Sequence, residues 1–192
     1  MKTKNSLINV IVLIFMFSAA HIFSQNTQAQ KGQTYSHVGI GIVPTYLMDG
    51  GKIIVPPVTV GGDYIFAENF SIGLQTGYSI SEMQKEYQNI EQPRNYRNSS
   101  YFTSMRFAVH CTKIKDWDIY GGWLLGFNVV KIEVLNGIFD YPEHHAGIVP
   151  KDTKMTYTGL LGVRYGCCSN IGVFAELGFG ESLFKIGMSY RL

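Results

Sequence analysis

The sequence predicts an all-β fold, an eight-stranded antiparallel up-and-down barrel that spans a membrane. Hydrophobic residues make up 46% of the 192-residue chain, yet beyond the N-terminal segment no apolar run is long enough for a spanning helix. Apolar and polar residues instead alternate with a period of two through eight segments, as in strands with one lipid-facing side. The segments are joined by alternately short and long connections, an asymmetry that is typical of membrane barrels.

The N-terminal 24 residues are predicted to be a signal peptide. Two lysines precede an apolar stretch from Leu7 to Phe17, and small and polar residues follow it. This is the three-part layout of a secretory signal. Cleavage is expected after Ser24 or as late as Ala29, and the barrel domain is expected to occupy residues 30–192.

The first four segments each carry their larger apolar residues at alternate positions, with glycine, serine and other polar residues between them. The third segment is the most regular of the eight. Because alternate side chains of a strand point to opposite faces, these residues define the outer face of each strand. In chain order they are Val38, Ile40 and Ile42; Val58, Val60, Tyr64 and Phe66; Phe70, Ile72, Leu74, Thr76, Tyr78 and Ile80; Tyr101, Thr103, Met105, Phe107 and Val109.

The last four segments follow the same rule. The intervening positions again hold small or polar residues, many of them glycine, which suits a crowded lumen. The outer-face residues are Ile119, Trp123, Leu125, Phe127 and Val129; Met155, Tyr157, Leu161, Val163 and Tyr165; Ile171, Val173, Ala175, Leu177 and Phe179; and Phe184, Ile186, Met188, Tyr190 and Leu192. Eight is an even number, as single-chain bacterial barrels require.

The two long connections are expected to lie on the extracellular side. They cover residues 81–100 and 133–153, whereas the connections after the second, fourth and sixth segments are short. Pro44, Pro56 and Pro57 cannot donate to a strand ladder, and in this register they fall near the outer rim, where water can satisfy the neighbouring groups. Both chain termini then lie on the periplasmic side.

The inward face carries charges that we expect to pair with one another. An unpaired charge in a confined lumen costs several kcal/mol, and eight strands leave an interior only wide enough for side chains. By depth, Arg106 should meet Glu176 near mid-barrel, and Asp118 should meet Arg164 lower down. The predicted network comprises Arg106, Glu176, Asp118, Arg164, Asp63 and Arg191.

Candidate catalytic residues are sparse. Ser36, His37 and His110 are residue types of serine hydrolases, but Ser36 and His37 are consecutive strand residues that point to opposite faces. The adjacent His144 and His145 have no third ligand nearby in sequence, so a solvated loop is favoured over a metal site. No cofactor is expected, and the sequence favours a protein that is not an enzyme.

The three cysteines cannot all pair within one chain. Cys167 and Cys168 are adjacent, and a bridge between neighbours is strained. The remaining possibilities are free thiols throughout, or one bridge from Cys111 to either member of the pair.

The competing fold is a soluble barrel or sandwich of the lipocalin type, with the apolar faces turned inward. Charged residues are only 16% of the chain, below the ~25% of soluble domains. The strand faces that carry glycine and small polar residues have few charges, and they would therefore form a poor solvated surface. The formal net charge is +2, which equals the two lysines of the predicted signal peptide, so the mature chain is near neutral. This excludes a nucleic-acid partner that binds through a basic patch.

Taken together, the signal-peptide layout, the eight alternating segments, the loop asymmetry and the Tyr190-Arg191-Leu192 ending resemble the small outer-membrane β-barrel family. This family includes OmpX-like and OmpA-like barrels and the porin-family barrels of the Bacteroidetes type. The resemblance implies residence in the bacterial outer membrane, with lipid around the barrel. It also implies that the terminal strand, with Phe184, Ile186, Met188, Tyr190 and Leu192, is a signal for the barrel-assembly machinery.

For function, the sequence favours an integral outer-membrane protein that is structural or interacts through loops 81–100 and 133–153 with an unidentified extracellular or protein partner. Two alternatives stay open. One is a lipid-modifying barrel enzyme, since some small outer-membrane barrels have this activity, and the other is a small-solute channel.

Overall fold

A computed structural model describes residues 30–45, 51–86, 93–136, 149–167 and 170–192. Eight antiparallel strands form a closed barrel in which each strand pairs with the next and the eighth pairs with the first. The strands are β1 Thr34–Gly41, β2 Lys52–Ala67, β3 Phe70–Lys85, β4 Arg94–Cys111, β5 Trp117–Val134, β6 Lys151–Gly166, β7 Ile171–Gly178 and β8 Phe184–Arg191. In the residues described, no helix is long and apolar enough to cross a membrane.

The apolar residues face outward and the polar residues face the lumen. On β3, Leu74 is 60% exposed, whereas its neighbour Gln75 is 2% exposed. Trp123 and Phe127 on β5 are similarly exposed, while Tyr120 on the same strand faces the lumen and is buried. This is the reverse of a water-soluble barrel, so the lipocalin-like alternative is wrong and the predicted fold class is confirmed.

Aromatic side chains pair near both ends of the apolar band. The rings of Trp117 and Tyr165 lie 4.9 Å apart beside the short β4–β5 turn. At the opposite end, the rings of Tyr78 and Tyr101 lie 4.5 Å apart. Amphipathic rings prefer the membrane–water boundary, so these pairs mark its two edges.

The strands run further than the hydrophobic pattern indicates. β3 continues to Lys85 and β4 already begins at Arg94, so much of the expected loop 81–100 is a paired ribbon. Likewise, the expected loop 133–153 includes the paired ends of β5 and β6. The alternation ends early because strand ends above the membrane face water on both sides and need no apolar face. The tips, residues 87–92 and 137–148, lie outside the described residues.

Pro56 and Pro57 lie within the outer half of β2, whereas the apolar alternation of the second segment begins only at Val58. The β2–β3 ladder shifts register between Val55 and Val58, and the β1–β2 ladder extends no further than Val58. The two prolines therefore occupy an irregularity at an unpaired edge, where a missing N–H breaks no regular ladder bond.

The barrel wall is uneven in height. β2 to β6 have 16 to 18 residues each, whereas β1, β7 and β8 have eight. β6 pairs with β7 only from Leu160 onward, so its residues 151–159 pair with β5 alone. Above the β7–β8 turn, the described wall is a curved sheet of five strands. In the part of the chain that the structure describes, this leaves a notch on the remaining side.

Candidate functional site

The centre of the lumen is organised around Arg106 of β4. Its Nη2 donates to Oε1 of Glu176 at 2.8 Å, and its Nε donates to Oδ1 of Asp63 at 3.1 Å. Nη1 donates to the amide oxygen of Gln75 at 2.9 Å. Arg106 is 2% exposed, so its charge is held entirely by these partners. The predicted meeting of Arg106 with Glu176 is therefore present, with two further acceptors around it.

Glu176 of β7 collects three donors. Besides Arg106, it accepts a hydrogen bond from the Tyr120 hydroxyl at 2.8 Å and contacts Lys185 Nζ at 2.6 Å. A carboxylate that accepts several charge-assisted bonds in a dry interior is strongly stabilised in its ionised form. Glu176 thus ties β4, β5 and β8 to β7.

A second cluster lies nearer the short turns. Arg164 of β6 contacts Asp118 at 3.5 Å and Asp63 at 3.8 Å, which joins this cluster to the first. Its guanidinium also lies 4.3 Å from the ring centre of Tyr35. A cation over an aromatic face is attracted by the ring quadrupole, so Tyr35 supports Arg164 in addition to the two carboxylates.

The network is balanced in charge and reaches every strand. Its described cations are Arg106, Arg164 and Lys185, and its carboxylates are Asp63, Asp118 and Glu176. β1 takes part through Tyr35, whose ring contacts Arg164, and β3 takes part through Gln75. Breaking one buried pair of this kind costs about 3–5 kcal/mol, because the remaining charge stays buried without a partner.

Ser71, His110 and Asp118 form a serine–histidine–aspartate constellation that the sequence reasoning missed. His110 Nε2 lies 2.8 Å from Ser71 Oγ, and His110 Nδ1 lies 2.9 Å from Asp118 Oδ1. This is the order of contacts in a hydrolase triad. All three residues are at most 5% exposed and face the lumen. The arrangement is visible only in the folded barrel, where the ends of three strands meet, because no sequence motif contains all three residues.

A cavity lies in the outer half of the lumen, beside the notch. Its volume is about 420 Å³. Hydroxyl and amide groups from β4, β5 and β6 form its inner wall, and the turn between β7 and β8 forms its lower rim. The lining residues are Thr45, Ser100, Phe102, Ser104, Leu124, Asn128, Met155, Thr156, Tyr157, Thr158, Phe179, Gly180 and Glu181.

Glu181 lies in the β7–β8 turn, outside the strands, and contributes a carboxyl to this cavity. Burial raises its pKa to about 7, although Lys185 nearby acts in the opposite direction. Its Oε1 accepts a hydrogen bond from Gln75 Nε2 at 3.3 Å. Gln75 therefore connects the cavity to the charge network below it.

No protein-family model and no curated protein sequence matches the chain. Several solved structures match it. Ail of Yersinia pestis, solved with the heparin analogue sucrose octasulfate, has 11% identity and a TM-score of 0.53, with 85% of this chain and 100% of that chain covered. A de novo designed transmembrane β-barrel has 14% identity and a TM-score of 0.50, with 86% and 100% covered. OprG of Pseudomonas aeruginosa has 11% identity and a TM-score of 0.48, with 86% and 98% covered.

The chain has the fold of the small outer-membrane β-barrels. The apolar outer face requires lipid around it, so the protein is an integral barrel of the bacterial outer membrane. Short turns of such barrels face the periplasm. The triad at the β2–β3 and β4–β5 turns is accordingly near the periplasmic end of this outer-membrane barrel, and the cavity beside the notch is near the outside.

Two further predicted residues lie towards the periplasmic end. Arg191 is near the end of β8, where its Nη2 lies 3.5 Å from the Asn170 side-chain oxygen, and it also hydrogen-bonds Tyr35, the residue whose ring contacts Arg164. Ser36 bonds the Tyr190 carbonyl, away from His37 in the lumen, and the two do not pair.

The other sequence candidates divide between described and undescribed residues. Cys111 is a free thiol, Cys167 donates through its Sγ to the Ile171 carbonyl at 3.3 Å, and Cys168 lies outside the described residues. His144 and His145 also lie outside them. Within the described ranges, no group of three or more His, Cys, Asp or Glu side chains is placed to hold a metal ion. The outer residues of β8, including Ile186 and Met188, face lipid, and their role as an assembly signal stays a prediction.

Proposed function

We propose that this outer-membrane barrel is a non-conducting, non-enzymatic protein that acts through the paired ribbons of β3–β4 and β5–β6 above the membrane. The observation that carries the proposal is the charge network across the lumen. Arg106, Glu176 and Asp63 bridge opposite walls and are at most 5% exposed. A lumen filled in this way supports a structural interior, and the surface available for interaction is then the outer rim.

The ribbons are built firmly enough to present such a surface. β3 and β4 remain paired as far as Lys85 and Arg94. Arg97 donates to Glu82 across this ribbon at 2.8 Å through Nη2 and 3.0 Å through Nε. A two-donor guanidinium–carboxylate contact fixes side-chain geometry better than a single ion pair does. The ribbon therefore extends the rigid barrel wall outward.

Planar-bilayer recording tests the non-conducting part of the proposal. The wild-type protein should show no stepwise openings at physiological salt. Arg106→Ala is the positive control. It removes the central side chain of the lumen and should therefore produce openings that the same recording detects. Discrete wild-type channels would favour the small-solute channel instead.

Ribbon truncation tests the interaction surface. Residues 83–96 can be replaced by Asn-Gly, because Glu82 and Arg97 are already paired and a two-residue turn can join them. The truncated barrel should insert and fold as before but lose the partners that the full protein captures by cross-linking in native membranes. Retention of every cross-link would contradict a role for this ribbon.

A hydrolase is the second candidate, and the Ser71–His110–Asp118 geometry is what favours it. It ranks second because the three side chains are buried in the lumen, where a lipid substrate has no described route to Ser71. Labelling with a fluorophosphonate probe tests it. A covalent adduct that is lost in Ser71→Ala and kept in Ser189→Ala would make the enzyme the better proposal.

A further inference from the structure

The outer cavity has the features of a binding site rather than of a packing gap. Ser104 on β4 is 6% exposed, and its Oγ has no hydrogen-bond partner in the described structure. Ser104 also lines the cavity. A buried hydroxyl without a partner costs free energy, and an incoming polar group would remove that cost.

The cavity is accessible from the side of the barrel. Thr156 on β6 points inward yet is exposed, whereas Leu160, four residues further along the same face, is 8% exposed. The difference arises because β7 covers β6 only from Leu160 onward. Among the described residues, the path to the Ser104 hydroxyl over the β7–β8 turn is therefore open and does not pass the charge network.

The lining selects the chemistry of the ligand. Neutral hydrogen-bonding side chains dominate the wall: Thr45, Ser100, Ser104, Asn128, Thr156 and Thr158. Glu181 is the one ionisable carboxyl among the described lining residues, and no lysine or arginine is among them. A phosphate or carboxylate ligand would thus find no lysine or arginine in the described lining of the cavity. A ligand rich in hydroxyl groups would find acceptors and donors on several sides.

Aromatic rings stand at the mouth. Tyr157 is 85% exposed and Phe179 is 80% exposed, and both border the cavity. An exposed aromatic ring offers a flat apolar face, which suits the C–H face of a sugar ring. The volume of about 420 Å³ is in the usual range for a small ligand.

We propose that this cavity binds a neutral saccharide, which enters through the notch above the β7–β8 turn. The hydroxyl of Ser104 and the amide of Asn128 hydrogen-bond the sugar hydroxyls, and Tyr157 and Phe179 flank its apolar face. The site is separate from the outer ribbons, so it does not depend on their proposed role. The sugar can be free in solution or can be the head group of an amphiphile. A free sugar reaches the site from water, whereas an amphiphile is concentrated at the membrane beside it.

Methyl NMR of the barrel in phosphatidylcholine nanodiscs tests the proposal. Met155 borders the cavity, whereas Met105 and Met188 lie on the lipid face away from it and serve as internal controls. The probes are maltose, dodecyl maltoside and dodecylphosphocholine. The Met155 methyl signal should shift saturably with dodecyl maltoside, while the Met105 and Met188 signals stay in place.

The pattern across probes decides the outcome. A Met155 shift with maltose as well supports a free sugar, and a shift with dodecyl maltoside alone supports a sugar carried on an amphiphile. An equal shift with dodecylphosphocholine would show that the alkyl chain is what binds, and the saccharide proposal would be overturned. No shift with any probe would overturn it too.

Three variants separate a loss of the site from a change in folding. Ser104→Ala removes the unpartnered hydroxyl and should raise the dissociation constant about fivefold. The matched control, Ser189→Ala, removes a buried hydroxyl of the periplasmic half and should leave the constant unchanged. Thr156→Phe fills the exposed mouth and should abolish the shift, and unchanged Met105 and Met188 signals verify that this variant is folded.

Discussion

Gly162 of β6 lies directly across the ladder from Tyr120 of β5, and the Tyr120 ring covers the position where a side chain would begin. A Cβ on Gly162 would stand 2.5 Å from the nearest ring carbons. Since the same Tyr120 hydroxyl bonds Glu176, the absence of a side chain at Gly162 helps to hold the charge network in place.

Gly162→Ala should therefore destabilise the barrel. The extra methyl must displace the Tyr120 ring from its bond to Glu176, and overpacking of this kind costs about 1–3 kcal/mol. The measurement is the free energy of unfolding in urea with the protein in lipid vesicles. Gly121→Ala is the control, because a Cβ there would meet its nearest atoms at 3.7 Å and should cost much less.

Arg106→Met should cost about 3–5 kcal/mol of unfolding free energy, because Asp63 and Glu176 then lose a shared buried cation. Arg97→Met removes an ion pair whose arginine side chain is 41% exposed, and it should cost less than about 1 kcal/mol. Equal costs for the two variants, measured by urea unfolding, would show that the lumen network does not stabilise the barrel.

Leu74→Arg tests which face meets the lipid. Leu74 lies mid-strand and is 60% exposed on the apolar face, so an arginine there should cost about 2–4 kcal/mol. Tyr157→Arg, at the exposed outer end of β6, should cost about 0–1 kcal/mol because it is near the membrane surface. A Leu74→Arg protein as stable as wild type would mean that this face is not in hydrocarbon.

Gln75→Arg is not a mild control for that test, although the sequence pattern alone makes it look like one. Gln75 contacts both Arg106 and Lys185 through its side-chain oxygen. An arginine at this position would add a third cation to a confined cluster. We expect Gln75→Arg to be as disruptive as Leu74→Arg, with like-charge repulsion and not lipid exposure as the cause.

Glu181 should make stability depend on pH. Its folded-state pKa of about 7 lies above the ordinary value of 4.5, so the folded protein holds a proton that the unfolded chain releases. The free energy of unfolding should therefore fall as pH rises from about 4.5 to about 7 and then level off with respect to this group. Burial is the main cause, with Glu176 adding to it and Lys185 opposing it.

Comparison of unfolding free energies at about pH 5 and about pH 8 checks this expectation. Glutamine cannot ionise, so in Glu181→Gln the free energy of unfolding should fall less than in wild type over that pH interval. Glu68→Gln, on the exposed β2–β3 turn, is the matched control and should keep the wild-type difference. If both variants behave alike, Glu181 is not the group responsible.

The sequence by itself determined the fold class, the strand number and which face of each strand meets lipid. It could do so because lipid imposes one simple rule, apolar residues at alternate positions, and Leu74 beside Gln75 shows it. The same rule made the predicted β3 and β4 too short. Glu82 and Arg97 pair above the membrane, where no apolar face is required and the alternation no longer marks the strand.

Only the tertiary structure decided what the inward residues do. The pairing of Arg106 with Glu176 follows from depth, but the approach of Ser71, His110 and Asp118 depends on how three strands are staggered around a closed barrel. The notch, and the cavity that Ser104 lines beside it, depend on where β7 and β8 stop. Stagger and closure are properties of all strands together, and alternation within one strand carries no information about either.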